Sequence, residues 1–273
     1  DNPGAAATAL FYSCIGGDYS FGDCVSNDTE FIHCKAGNYS FGIYTAGGIY
    51  SHCTAGQYSF ASFQEGTTLR EADGDFNNCS AGDFSFALNG DASGIFRNCI
   101  GGESCFGAQQ GDVATTGVAS GAFQNCTAAN YSFGGKAGTA SGVFQNCTAG
   151  DYSFGGHFDY SASSLHVGEA SGNFTRCNAG DYAFGGAAGV ASGNFRECTA
   201  GENSFGGHIT HSGSSIGTAS GKFIRCVAGD GSFGGNGGTA AGGEFHFCDG
   251  DGPNAWAGNE TNRVYCIKNG SAY

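Results

Sequence analysis

Twelve of the fourteen cysteines in this 273-residue chain recur in one context, as the last residue of an aromatic-x-x-Cys pattern or its terminal variant. They are Cys14, Cys34, Cys53, Cys79, Cys99, Cys126, Cys147, Cys177, Cys198, Cys226 and Cys248, with Cys266 closing the series; Cys24 and Cys105 fall outside it. Thiols at such spacing can form bridges, bind zinc or pack as small buried groups. Zinc is disfavoured because no CxxC pair occurs. Cysteine is also about 5% of the chain, under the ~8–10% of disulfide-built scaffolds. If successive patterns lie side by side in parallel strands, their Cα atoms come within bridging range, but the parallel Cβ atoms stay slightly too far apart. A ladder of reduced thiols is therefore the favoured expectation, with Cys248 and Cys266 the best candidates for a bridge.

The other chemically capable residues carry less. His157, His166, His208 and His211 fall in two similar segments, but no HExxH pattern orders them for metal, and histidines in loops are usually solvated. A polar column recurs in an AGD-like context: Asp18, Asn38, Gln57, Asp83, Glu103, Asn130, Asp151, Asp181, Glu202 and Asp230. Calcium would need the nine-residue period of calcium-binding solenoids, which is missing, and neutral amides interrupt the column, so turn formation is the better reading. Asp159, Glu169 and Arg176 are too generic to define a polysaccharide-cleaving site. An ice-binding threonine array at Thr54, Thr127, Thr148 and Thr199 is broken by Ile15, Lys35, Ile100, Asn178 and Val227. No catalytic, cofactor-binding or metal-binding residue is assigned, and the chain is expected not to be an enzyme. Nine N-x-[ST] sequons, at Asn27, Asn38, Asn78, Asn125, Asn130, Asn146, Asn173, Asn259 and Asn269, are candidate glycosylation sites. Several are simply text of the repeat.

That repeat is what must position all these residues. Segments such as ASGAFQNCTAANYSFGG and ASGVFQNCTAGDYSFGG recur eleven times, with a partial copy around Cys266. One aromatic column holds Phe11, Phe31, Tyr50, Phe76, Phe96, Phe123, Phe144, Phe174, Phe195, Phe223 and Phe245. A second holds Phe21, Phe41, Phe60, Phe86, Phe106, Phe133, Phe154, Phe184, Phe205, Phe233 and Trp256. In the first ten copies the columns are ten residues apart, as in Phe144 and Phe154, whereas the return connection varies. A unit of this length cannot bury an apolar face alone, so successive coils must stack and turn each recurrent position into a ladder. Glycine, at 52 residues, opposes helix, and its AG and GG pairs are expected where the chain turns, since glycine accepts φ > 0. The expected fold is all-β: one parallel β-solenoid (β-helix) of about twelve coils with two Phe ladders and a Cys ladder. At the usual strand spacing it would be roughly 55–60 Å long.

From Phe60 onward long and short return connections alternate, which sets a loop row on one side of alternate coils. Residues 1–10 form an N-terminal arm, residues 11–273 the solenoid. The net charge of −14 and the absence of a basic cluster argue against nucleic acid, and no run reaches the ~18 apolar residues of a membrane helix. With no helical cap evident at either end, head-to-tail stacking of solenoid ends into a homopolymer is the leading expectation. Folding of the C-terminal NRVYCIKNGSAY or of the N-terminal arm over an end is the alternative.

The SGxFxNC text, at Ser120–Cys126 and Ser141–Cys147, resembles the repeats of parallel β-helix surface proteins such as polymorphic outer-membrane adhesins and autotransporter passengers. The resemblance covers most of the chain and lacks a C-terminal membrane barrel. It implies a right-handed parallel β-helix with a surface or adhesive role, at the cell surface or outside the cell. There it would be a filament or surface-layer subunit, or a monomeric adhesin that binds surface glycans through the loop row. A carbohydrate-active β-helix enzyme is the remaining alternative.

Overall fold

Every regular element among the described residues is a strand, and nearly all pairing is parallel between one coil and the next. The computed structural model describes residues 9–22, 28–42, 45–62, 70–108, 117–135, 138–156, 168–186, 189–207, 217–235, 239–240, 242–256, 263–268 and 271–272. Each coil contributes one short strand, from Leu10–Tyr12 through Val143–Gln145 to Arg263–Val264, to a twelve-stranded parallel sheet. The register never slips: Phe11 lies opposite Phe31, Phe123 opposite Phe144, Phe144 opposite Phe174 and Phe223 opposite Phe245. Each internal strand buries only its central residue, as Val143–Gln145 buries Phe144. A one-residue slip would turn every ring to solvent, which is why the register holds. The chain is thus the parallel β-solenoid that the repeat predicts.

Two further stacks close each coil. One runs through Val118–Ala119, Thr139–Ala140, Glu169–Ala170, Val190–Ala191 and Thr218–Ala219. The other is a series of single bridges following each cysteine, such as Thr127 with Thr148, that widens into strands Val227–Ala228, Asp249–Gly250 and Ile267–Lys268.

The rings hold the coils together. In the first column Phe144 and Phe174 stack with centroids 4.8 Å apart and planes 4° apart. In the second, Phe154 and Phe184 do the same at 4.8 Å and 3°. Across the coil the columns meet edge to face, with Phe144 and Phe154 at 5.4 Å and 88°. Parallel rings within a column and perpendicular rings between columns satisfy both arrangements an aromatic quadrupole favours. Ala140, Ala170, Ala191 and Ala219, all fully buried, line the remaining wall.

The corners differ from the glycine-based expectation. Left-handed backbone is carried mostly by non-glycine residues at three recurrent positions: before each cysteine (Asn125, φ 53; Asn146, φ 54), two residues before the second ring (Tyr152, φ 56), and at that ring itself (Phe154, φ 52). Such a conformation costs on the order of 1–2 kcal/mol per L-residue, which burial of a whole Phe ring offsets. Among the glycines, the one that follows the second ring adopts positive φ in most coils, for example Gly155 at φ 67, and Gly48, Gly186, Gly231 and Gly252 do so elsewhere. The AG glycines are not in that region, and their role lies in the turn column described next.

Candidate functional site

The thiol column is the most regular chemical feature of the core. Cys34 Sγ donates to the Phe11 carbonyl at 3.3 Å, Cys147 Sγ to Phe123 at 3.4 Å, Cys198 Sγ to Phe174 at 3.5 Å and Cys266 Sγ to Phe245 at 3.6 Å. Each sulfur also faces the carbonyl two residues before it, as Cys147 faces Gln145 at 3.5 Å. All thirteen cysteines among the described residues are free thiols, and Cys24 lies outside them. Cys248 and Cys266, the candidate bridge, are free in this structure. Their sulfurs are aimed at the carbonyls of Phe223 and Phe245 in the preceding coils, so the parallel alignment points them along the column, each at a carbonyl. Burial holds the Cys226 thiol well above the ordinary thiol range, reinforced by its neighbours Cys198 and Cys248.

A second polar column escaped the sequence reading. Ser40, Ser59, Ser85, Ser132, Ser153, Ser204 and Ser232 are buried just before the second ring. Ser59 Oγ accepts from the Ser40 N–H at 3.2 Å and donates to its own coil at the Gln57 carbonyl. Cys105 belongs here: its Sγ accepts from the Ser85 N–H at 3.4 Å, and its own N–H donates to Ser132 Oγ at 3.3 Å. Complete burial pushes the Cys105 thiol up to about 12. The signal for this column was the S in YSFG, which the glycine and phenylalanine pattern overshadowed.

The AGD column is a turn device. Asp151 Oδ1 accepts the N–H of Asp181 at 2.9 Å, Asp181 Oδ1 that of Glu202 at 2.8 Å, and Asn130 Oδ1 that of Asp151 at 2.9 Å. Each of these oxygens crosses the coil at the glycine before its partner, so a Cβ on Gly150, Gly180 or Gly201 would overlap it. Ala129 replaces that glycine above Glu103, a side chain that makes no such bond among the described contacts.

Two more ladders run along the outside. Asn98 donates to Asn78, Asn125 to Asn98 and Asn146 to Asn125, at 3.2, 3.0 and 2.9 Å between amides. Tyr131, Tyr152 and Tyr182 stack at 5.0 Å, half-exposed, with each ring face covered by the next ring. The sequons therefore divide. Asn78, Asn125 and Asn146 belong to the amide ladder, Asn38 and Asn130 to the turn column, and Asn173 accepts from Asn194 at 2.9 Å. Asn27, Asn259 and Asn269 lie outside the described residues.

The long connections leave and rejoin the coil at one corner, between Gly156 and Gly168 and between Gly207 and Gly217. Their interiors, with His157, Asp159, His166, His208 and His211, lie outside the described residues. Glu169 begins a strand of the second stack, whereas Arg176 follows a strand of the twelve-stranded sheet, so the two are not brought together on one face. Among the described residues no three His, Cys, Asp or Glu side chains converge as a metal site, and no helix is long and apolar enough to cross a membrane.

The two ends of the described solenoid differ. At the N-terminal coil Leu10, Tyr12, Ile15 and Tyr19 are 60–85% exposed. At the other end Arg263 takes the first-column position opposite Phe245 and lies over the Trp256 ring at 4.4 Å. There Ser271–Ala272 also pairs antiparallel with Ile267–Lys268. These features together define a single-class molecule, a parallel β-solenoid built from side-chain ladders. Comparison with protein-family models, with characterised proteins and with solved structures finds no match to this chain.

Proposed function

We propose that this protein is an extracellular or surface structural element, a rod that joins others of its kind end to end in a filament or layer. The observation that carries this reading is the N-terminal coil. Among the described residues its strand Leu10–Tyr12 pairs on one side only, with Glu30–Ile32, and lies beside four strongly exposed large apolar residues, in the register every internal coil uses to pair. A strand edge of this kind is completed by another coil, and a heterologous contact of one end with the other continues into a fibre. At the opposite end Ser271–Ala272 pairs antiparallel with Ile267–Lys268, and Arg263–Val264 pairs with the preceding coil. Electron microscopy across a range of concentrations tests the proposal: filaments with an axial repeat near one subunit support it, and isolated rods at every concentration sink it. A second reading, a monomeric adhesin that binds surface glycans along its loop row, draws on the common corner from which the long connections leave. Replacing residues 206–218 by a short glycine turn would abolish glycan binding on that reading and leave filaments intact on the first.

A further inference from the structure

The twelve cysteines of the core column do more than fill space. The serine column makes the same kind of contact: Ser204 Oγ donates to the carbonyl two residues before it at 3.3 Å and reaches the Gly180 carbonyl of the preceding coil at 3.5 Å. Cys147 meets Gln145 and Phe123 in the same fashion. A hydroxyl thus suffices for the hydrogen bonding, and one column of this chain uses it, with Cys105 as a single sulfur substitute. The other column holds sulfur at all twelve positions, from Cys14 to Cys266. Sulfur itself is therefore what distinguishes it.

The geometry then fixes what such a column can hold. Every thiol points at the same two carbonyls, so the sulfurs repeat with the coils, whose stacked first-column rings from Tyr50 to Phe245 are 4.7–4.9 Å apart. A thiolate holds a d10 metal ion at about 2.3 Å, so an ion midway between successive sulfurs reaches both. Each gap is flanked by two sulfurs, one from each coil, with backbone carbonyls beside them as the only other donors among the described contacts of the column. Two thiolates are too few for tetrahedral zinc and suit soft monovalent ions that accept two collinear thiolates.

We propose that the cysteine column is a linear array of sites for soft monovalent d10 cations, Cu(I) or Ag(I), one between each pair of successive sulfurs. Twelve thiols enclose eleven gaps. Filling them brings in eleven positive charges and releases twelve thiol protons to solvent, with no change of oxidation state, and leaves one net negative charge on the column. Cys14, the one column member that is not fully buried, is the point of entry.

The test uses the full chain carrying Cys24→Ser, reduced and then freed of reductant without oxygen, and titrated with Ag(I). Native mass spectrometry counts bound ions while far-UV circular dichroism follows the fold. The expected result is loading up to eleven ions with the β signal retained. Cys147→Ser, which the serine column shows to be compatible with the contacts, lowers the count by two because Cys147 borders two gaps. Cys105→Ser leaves it unchanged. No uptake, uptake only as the β signal is lost, or equal effects of Cys147→Ser and Cys105→Ser would each overturn the proposal.

Discussion

Asp151 Oδ1 and the backbone N–H of Asp181 in the next coil are 2.9 Å apart, and the carboxylate reaches that N–H by lying across Gly180. Glycine is needed there for room, since its φ is not in the left-handed region. Gly180→Ala would press a methyl onto both the Asp151 side chain and its backbone nitrogen, which is overpacking worth about 1–3 kcal/mol. Gly17, at the same repeat position in the first coil, meets nothing within 4 Å. Chemical denaturation should show Gly180→Ala destabilised and Gly17→Ala within about 0.5 kcal/mol of the parent. Equal effects would mean that the glycines serve conformation instead.

The fold was legible because its columns are spelled in the sequence: Phe144 and Phe154 recur at fixed spacing, and a shared period leaves stacking as the only way to bury them. Other features were hidden for physical reasons. The role of Gly180 depends on the Asp151 side chain of the preceding coil, and a spacing between coils that includes a variable connection conceals that partner. The left-handed conformation of Phe154 contradicts local preference and is imposed by the ring's place in the stack. Cys105 looked like an outlier until the serine column supplied its neighbours. Arg263 stands three residues before Cys266, where ten coils carry Phe and one carries Tyr, so its column was legible, but its contact with the Trp256 ring was not.

Asn125 joins backbone and side-chain roles that substitution can separate. It sits at φ 53, donates to Asn98 and accepts from Asn146. Asn125→Gly removes only the solvent-facing amide bonds, together about 1 kcal/mol. Asn125→Ala removes them and also places a Cβ in the left-handed region, an added cost of roughly 1 kcal/mol. Thermal or urea melts should therefore rank alanine below glycine, and the reverse order would show that the amide ladder, rather than the corner, limits stability.

Ring deletion should depend on position in the column. Phe144 is fully buried and stacked on both faces, by Phe123 and Phe174. Phe11 is half-buried and stacks on Phe31 alone within its column. Phe144→Ala is expected to cost about 3–5 kcal/mol, and Phe11→Ala clearly less. Because each coil touches only its neighbours, hydrogen exchange should accelerate most in the coils of Phe123, Phe144 and Phe174. Uniform acceleration along the chain would show that the solenoid opens as one unit.

Alkaline stability follows from the buried thiols. Cys105 has its ionisation pushed from 9.0 to about 12 by burial. Above pH 9 the unfolded chain releases this proton while the folded chain keeps it. Unfolding is then favoured by rising pH, with about 1.4 kcal/mol lost per pH unit for one thiol. The sign is thus set for this thiol: its contribution is complete below about pH 9 and is lost progressively toward pH 12. Urea denaturation at pH 8, 9, 10 and 11 should show this fall. Cys105→Ser, which restores the residue the column otherwise uses, should reduce the slope by one proton's worth and leave the pH 8 stability nearly unchanged. A slope that Cys105→Ser does not alter would mean that this thiol already reaches solvent in the folded protein.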